Sequence, residues 1–208
     1  MRLIQYVFGS AQLLFGDIFD FQNGFAFKSS LFKNVGNPIL RITNIQNNRI
    51  NDNELVFFDD GDYKENLSSF LVNPGDIVIA MSGATTGKVG VNGTTKQYYL
   101  NQRVGKFIPK DGIVLNRYLY HLLSNKSEQI YKMSDNGSQP NLSSDKLKQL
   151  IVHIPSIEEQ RRIVNILDRF DKLCNDIAEG LPAEIDNRNR QYGWYRNKLL
   201  NFTKEIGL

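Results

Sequence analysis

The chain contains 208 residues, of which 41% are hydrophobic and 23% are charged, and its formal net charge is +3. This composition is typical of a soluble globular protein, and the length suffices for one domain plus an appendage. The single cysteine, Cys174, excludes a disulfide framework and a cysteine-rich zinc site, so we expect a cytoplasmic location. Residues 1–15 are too short for a membrane span and make a poor signal peptide, so we expect a strand or short helix there.

The hydrophobic pattern along the chain predicts short strands followed by helices. Pro74 and Gly75 mark a turn before a continuous apolar run, which is typical of a strand buried on both faces. Ser143 or Ser144 is available to cap a short helix. Strands are predicted at residues 38–45, 54–58, 77–81, 88–91, 106–108 and 152–154, and helices at residues 115–132 and 142–150.

Charge is distributed unevenly along the globular part of the chain. Residues 51–80 carry seven acidic residues against one lysine, whereas residues 81–132 carry eight basic residues against two acidic ones. A basic block of this kind favours contact with phosphates. A solvated surface without a partner is the alternative on charge alone.

The segment 82–89, SGATTGKV, resembles a phosphate-binding P-loop only superficially. Three residues rather than four separate its glycines, and Val89 stands where a P-loop has Ser or Thr. As a DNA contact the segment makes better sense, because glycines let the backbone approach a phosphate and Thr85, Thr86 and Lys88 supply donors. A tight hairpin between two strands is compatible with that interpretation.

Further polar side chains with the chemistry of base readers follow in and after the basic block. Gln and Asn can bond bidentately to adenine, and Arg to guanine. The same side chains on strands and loops often contact only water. The candidates for DNA contact beyond the 82–89 segment are Lys96, Tyr98, Asn101, Gln102, Arg103, Asn136, Ser138 and Gln139.

After residue 155, apolar residues recur at alternating steps of four and three, which is a heptad seam. Ser156 and Glu159 form the pattern of a capping box, and Gly180 and Pro182 separate this helix from a second helical run. We interpret the seam as an arm that pairs with a second copy or a partner, and a helical hairpin is the alternative. The expected interface residues are Ile163, Leu167, Phe170, Cys174, Ile177, Leu181, Tyr192 and Leu199.

The sequence carries no constellation expected of a DNA-modifying or DNA-cleaving enzyme. It lacks both a cofactor-binding glycine motif and an Asn or Asp followed by Pro-Pro and an aromatic residue, as amino-methyltransferases have. It also lacks spaced carboxylates ending in Glu-x-Lys. His121 and His153 have no evident triad partner, so we interpret both as structural.

Long ungapped runs in this chain resemble the specificity subunit of type I restriction-modification systems. They cover nearly all of the chain from Gly16 onward, which makes the resemblance more specific than one short motif would be. The runs that resemble a target-recognition domain are GDIFDFQNGFAFKSSLF, ILRITNIQ, NPGDIVIAMSGATTGKVG and SDNGSQPNLS. Those that resemble the conserved helical region are PSIEEQRRIVNILDRFD, EGLPAEI and RQYGWYRNKLLNF.

The resemblance implies an α+β fold, with a mixed α/β target-recognition domain over residues 1–156 and a long coiled-coil-like helical arm over residues 157–208. It implies a non-catalytic subunit, without cofactor or metal, that binds double-stranded DNA and recruits a methyltransferase (modification) subunit. An endonuclease/translocase (restriction) subunit would join the full complex. Full-length members carry two recognition domains and two conserved helices, whereas this chain has one of each, which suggests a half-length form.

A homodimer would supply the second recognition domain. A helix of about 23 residues spans ~35 Å, close to the ~34–36 Å of one turn of B-DNA. Two copies paired through the seam would read an inverted-repeat target with a fixed spacer. The alternatives are a protein-binding scaffold module and a non-functional or recombination-reserve fragment of a specificity subunit.

Overall fold

The computed structural model describes residues 9–46, 48–134, 140–176 and 182–200, without the side chains of residues 173–176 and 182–185. No helix in these ranges is long and apolar enough to cross a membrane. The strands are β1 (Ser10–Leu14), β2 (Phe19–Asn23), β3 (Asn37–Leu40), β4 (Ile45–Gln46), β5 (Arg49–Ile50), β6 (Val56–Phe58), β7 (Leu71–Val72), β8 (Ile77–Ala80), β9 (Val89–Val91), β10 (Tyr98–Leu100), β11 (Val104–Pro109) and β12 (Ile151–Pro155). The helices are α1 (Asn116–Asn125), α2 (Ser127–Lys132), α3 (Ser144–Lys148), α4 (Ile157–Asp176) and α5 (Pro182–Leu200).

The described strands form three sheets. A six-stranded sheet has the order β2-β11-β8-β9-β5-β4, a four-stranded sheet has the order β6-β3-β10-β7, and β1 pairs with β12. The β3–β10 and β5–β9 pairs are parallel and the other pairs are antiparallel. With the helices that follow, these sheets confirm the predicted mixed α and β class.

Strand β8 is buried on both faces, as its continuous apolar run predicts. Ile77 and Ile79 contribute to one core with the helices, whereas Val78 and Ala80 contribute to a second core with the four-stranded sheet. All four side chains are fully buried. The strand therefore separates two hydrophobic layers.

The strand predicted at residues 38–45 is interrupted in the structure. Strand β3 ends at Leu40, and a 3-10 turn follows before β4. The cause is the buried side chain of Asn44, which accepts a hydrogen bond from Arg41 N at 3.1 Å and donates to the carbonyls of Asn51 and Asn53. These local hydrogen bonds compete with the strand ladder.

The helix predicted at residues 115–132 is two helices, α1 and α2, which meet at Lys126 with a backbone of φ −95°, ψ 5°. Ser143 caps α3 by accepting a hydrogen bond from Asp145 N. Ser156 Oγ accepts from Glu159 N at 3.3 Å, but the Glu159 carboxylate pairs with Arg162, so only half of the predicted capping box forms. Of the strand or short helix expected in residues 1–15, the described part contains strand β1, and residues 1–8 lie outside the described residues.

Helices α4 and α5 pack against each other and against α1. Ile163 and Leu167 are fully buried in the core that also contains α1, and Phe170 stacks on Tyr195 of α5 with ring centroids 4.9 Å apart. The helical hairpin is therefore what the structure shows. The interpretation that the seam serves a second chain is wrong for Ile163 and Leu167, because their own domain covers them.

We expect Leu167→Ala to lower the free energy of unfolding by about 2–5 kcal/mol, because it leaves a cavity in the core that α4 shares with α1. Urea denaturation measures the change. Leu14→Ala is the matched control, since Leu14 is 49% exposed and its truncation creates no cavity. Equal effects of the two substitutions would contradict the packing described for α4.

Candidate nucleic-acid interface

Two turns, residues 82–88 and 101–103, and the segment 140–142 meet at one end of the six-stranded sheet, and we call them the loop cluster. The N–H of Met81 donates to Arg103 O at 2.8 Å, and the N–H of Leu142 donates to Met81 O at 2.8 Å. The N–H of Gly83 donates to Pro140 O at 3.0 Å. The 82–89 segment and residues 101–103, which the sequence indicates as separate candidates for DNA contact, are therefore neighbours.

The first turn of the loop cluster joins the antiparallel strands β8 and β9. Gly83 and Gly87 have φ angles of +77° and +81°, a backbone region that favours glycine. The N–H of Gly87 donates to Ala80 O at 2.9 Å and closes the hairpin. A P-loop joins a strand to a helix, so this hairpin does not have that architecture.

The two threonines of this turn have different roles. Thr86 is 3% exposed, and its hydroxyl donates to Gly83 O at 2.7 Å and lies 3.1 Å from Pro140 O. Thr86 therefore holds the loop cluster together, and its prediction as a DNA contact is wrong. Thr85 is half-buried, and its hydroxyl is buried without a hydrogen-bond partner in the described part of the chain, so it does not face solvent. Lys88 is exposed.

The second turn carries Gln102 and Arg103 on its exposed side. Asn101 is half-buried, and its carbonyl oxygen Oδ1 accepts from Arg103 N at 3.4 Å. The turn lies directly on Gly24, where a Cβ atom would stand only 1.9 Å from Asn101 O. Gly24 is therefore required to let the two backbones approach each other.

Two predicted DNA contacts lie at the opposite end of β10. Tyr98 is fully buried in the second core, and its hydroxyl donates to Asp52, so the prediction of Tyr98 as a base reader is wrong. Lys96 is exposed, but its ammonium lies 2.6 Å from the Asp52 carboxylate. Neither side chain belongs to the loop cluster.

Ion pairs within the chain neutralise most of the basic block. Lys88 and Arg103 have no acidic partner among the described residues, and both lie in the loop cluster. Lys126 is half-buried, and burial lowers the pKa of its ammonium group. The other five basic residues of the block form ion pairs, which are Lys96–Asp52, Lys106–Asp76, Lys110–Asp20, Arg117–Asp168 and Lys132–Glu128.

Some of the predicted site residues lie outside the part of the chain that the structure describes. Asn136, Ser138 and Gln139 lie outside the described residues, although Pro140 and Asn141 after them belong to the loop cluster. Of the predicted interface residues, Ile177, Leu181 and the side chain of Cys174 also lie outside. The roles expected for these residues, in DNA contact and in the helix interface, stay predictions.

Sequence reasoning missed one polar residue of the loop cluster. The hydroxyl of Ser82 is buried without a hydrogen-bond partner in the described ranges, and Ser82 forms a β-bridge to Asn141. Only the adjacent Gly83 could have drawn attention to it.

The fold and the loop cluster together give the chain a distinct architecture. A mixed-sheet domain presents cationic and amide side chains on short turns and continues into a helical hairpin. The chain belongs to the family described as "Type I restriction modification DNA specificity domain", whose model matches residues 14–187. Members of this family are the non-catalytic DNA-recognition subunits of type I restriction-modification systems.

Relatives support the same assignment. A putative type I restriction enzyme specificity subunit of Haemophilus influenzae is 35% identical over 68% of this chain and 35% of its own length. The EcoR124I/EcoR124II specificity subunit of Escherichia coli is 41% identical over 50% of this chain and 26% of its own length. The matched parts of this chain thus span about a third or less of these relatives.

The fold is shared with a solved structure of low sequence identity. The crystal structure of a type I restriction-modification S subunit from M. genitalium superposes with a TM-score of 0.60 and 18% identity. The superposition covers 82% of this chain and 41% of that one. This likeness extends the agreement to the arrangement of sheets and helices.

We expect Tyr98→Phe to lower the free energy of unfolding by about 1 kcal/mol at neutral pH, because it removes the hydrogen bond to Asp52. Burial raises the pKa of Asp52, but hydrogen bonds from Lys96 and Tyr98 outweigh it, so this pKa lies below the ordinary 3.8. The stability that the bond gains from the ionised carboxylate is fully present above pH 3.8. It is lost as the pH falls through the lower pKa of Asp52 in the folded protein. Urea denaturation at several pH values measures the difference between the two proteins.

Tyr99→Phe is the matched control for this prediction, because no hydrogen bond of the Tyr99 hydroxyl is found in the described structure. Its effect should be small and independent of pH. A stability loss in Tyr98→Phe that is the same at neutral pH and well below pH 3.8 would count against the bond to a charged Asp52.

Proposed function

We propose that this chain reads one half of a bipartite duplex DNA target through the loop cluster, as the specificity component of a type I restriction-modification complex in the cytoplasm. The observation that carries the proposal is the placement of Lys88 and Arg103. They are exposed, have no acidic partner among the described residues, and stand beside Gln102 and Thr85. The chain performs no catalysis itself.

The chemistry of these side chains divides them into two roles. Arg103 can donate two hydrogen bonds to guanine, and Gln102 can bond bidentately to adenine, so both are assigned to the base edges in the major groove. Lys88 lies on the neighbouring hairpin and is assigned to phosphate oxygens, which position the domain without reading sequence. A short turn holds the two readers on a rigid sheet.

We propose that the hairpin of α4 and α5 carries the contacts to protein partners. Trp194 is 56% exposed and Tyr195 is 37% exposed, and such aromatic side chains are enriched in protein interfaces. The partners proposed are the methyltransferase (modification) subunit and, in the full complex, the endonuclease/translocase (restriction) subunit. The names of the relatives, which are subunits of type I restriction enzymes, support this assignment.

We also propose that two copies of the chain pair through this hairpin and read an inverted repeat. The buried Ile163 and Leu167 take no part in that contact, and the exposed face around Trp194 replaces them. The 20 residues of α4 span ~30 Å, which is close to one turn of B-DNA. Two identical recognition domains then lie on the same face of the duplex.

The DNA assignment is tested first by finding the target. The chain is co-expressed with a modification subunit, and the methylated bases are located by sequencing. We expect one bipartite motif whose halves are inverted repeats. Methylation without a common motif would contradict the proposal and would favour the fragment interpretation.

Substitutions in the loop cluster then separate the two roles. Arg103→Ala should weaken binding to the identified duplex by about 1–3 kcal/mol and relax the preference at one base pair. Lys88→Ala should weaken binding to all sequences alike and reduce the slope of log K against log salt by about 1. Fluorescence anisotropy over a series of salt concentrations measures both effects.

Lys132→Ala is the matched control for these substitutions, because Lys132 is exposed but paired with Glu128 on α2, at 2.7 Å. It should leave affinity and salt slope unchanged. An equal loss of affinity in Lys132→Ala and Lys88→Ala would show that general charge, and not the loop cluster, binds the duplex. Binding that does not depend on salt would favour the scaffold interpretation.

The dimer is tested by sedimentation at micromolar concentration. We expect the wild-type chain to sediment as a dimer and the double variant Trp194→Ser, Tyr195→Ser to sediment as a monomer, because the exposed aromatic area is lost. Asn197→Ala, an exposed substitution on the same helix, is the control and should remain dimeric. A wild-type monomer at this concentration would contradict the proposed pairing.

A further inference from the structure

The junction between the recognition domain and the hairpin contains buried polar groups as well as apolar ones. Gln160, in the first turns of α4, is fully buried. Its Oε1 accepts from Leu115 N at 2.8 Å, and its Nε2 donates to Ile113 O at 2.9 Å and to Pro155 O at 3.0 Å. One side chain therefore joins the start of α4 to the backbone that leads into α1.

Asp168 forms a second polar attachment about two helical turns further along α4. Its Oδ1 accepts from Arg117 Nη2 at 2.6 Å and from His121 Nε2 at 2.7 Å, and both donors lie on α1. His121 is fully buried, and its Nδ1 lies 3.2 Å from the hydroxyl of Tyr192 on α5. Asp168 and His121 together thus connect the three helices. We call Gln160, Asp168, Arg117, His121 and Tyr192 the junction network.

The electrostatics of the network keep Asp168 ionised. Burial raises the pKa of Asp168, but hydrogen bonds from His121 and Arg117 outweigh it and hold the pKa below its ordinary value. Partly buried ion pairs of this kind contribute little net stability compared with apolar packing. Their hydrogen bonds are nevertheless directional, and they weaken when donor and acceptor rotate away from each other.

Apolar contacts alone would hold the hairpin to the domain without setting its direction. Ile163 and Leu167 lie between Gln160 and Asp168 along α4, and their contacts tolerate small rotations and shifts, because the hydrophobic effect is not directional. Two sets of hydrogen bonds, ~12 Å apart along the helix axis, oppose both movements. The direction matters because a tilt of about 10° moves the end of a ~30 Å helix by about 5 Å, more than the ~3.4 Å rise of a base pair.

We propose that Gln160 and Asp168 are positioning residues that set the direction in which the hairpin leaves the recognition domain, and thereby the spacer length that two paired recognition domains accept. This second part depends on the proposed function of DNA reading by a dimer. The first part concerns the chain alone and has its own measurement.

The direction of the hairpin is measured by the distance between two spin labels, in a background with Cys174→Ser. The labels are attached at Ser30→Cys in the recognition domain and Gln191→Cys on α5, both exposed positions. We expect a narrow distance distribution for the parent protein and a distribution at least twice as broad for Asp168→Ala. Asp168→Asn keeps an acceptor for Arg117 and His121, so its distribution should be intermediate.

Asp186→Ala is the matched control, because it removes an exposed ion pair with Arg190 on α5, at 2.6 Å, outside the junction network. It should leave the distribution unchanged. Thermal unfolding of every variant identifies proteins that do not fold, and Gln160→Leu tests the other attachment of α4 in the same way. Distributions of equal width in the parent, Asp168→Ala and Gln160→Leu would overturn the proposal.

Spacer preference is the functional readout. On duplexes that carry the identified target with the spacer shortened or lengthened by one base pair, Asp168→Ala should lose discrimination about tenfold, which corresponds to ~1.4 kcal/mol. Its affinity for a single half-site should equal that of the parent. Equal losses on every duplex would show a structural role only and overturn the spacer assignment. Absence of any DNA binding by the parent would overturn the proposed function and leave the spin-label distances to decide about the junction network.

Discussion

The burial of β8 on both faces is the constraint from which the rest of this fold follows. Because no side of this strand can meet water, one layer must cover each face: the helices cover one, and the four-stranded sheet covers the other. The strand can then reach solvent only at its ends. The turn after Ala80 is therefore exposed at one end of the sheet, and the loop cluster forms there.

The hydrophobic pattern was sufficient to locate this strand and most other elements, but not to say what each element packs against. The repeating apolar residues in α4 correctly indicate a helix with a buried face. They do not distinguish a second chain from the domain that precedes the helix, because Ile163 and Leu167 would look the same in either case. The domain boundary at residue 156 stays a prediction, and the core that contains Ile163 continues across it. The coiled coil likewise stays a prediction.

The candidate site was harder to predict than the fold for two physical reasons. Within one short strand and the turn after it, the side chain of Tyr98 is buried and that of Arg103 is exposed, and both residue types are suited to contact DNA. Net charge was also a poor guide, since the acid that neutralises a lysine is often distant in sequence. Lys96 pairs with Asp52, for example, and Lys106 with Asp76. Only the folded structure shows which basic side chains are exposed and have no acidic partner among the described residues.

The close approach of Gly24 to the turn that carries Gln102 and Arg103 limits which positions of this region can change in evolution. The backbone of that turn packs directly on the backbone at Gly24, with no space for a side chain between them. This contact fixes the position of the turn relative to the sheet. The exposed side chains of Gln102 and Arg103 can therefore be substituted one at a time while the backbone of the turn keeps its conformation. Substitution of Gln102 or Arg103 costs little stability, whereas a side chain in place of Gly24 would displace the whole turn.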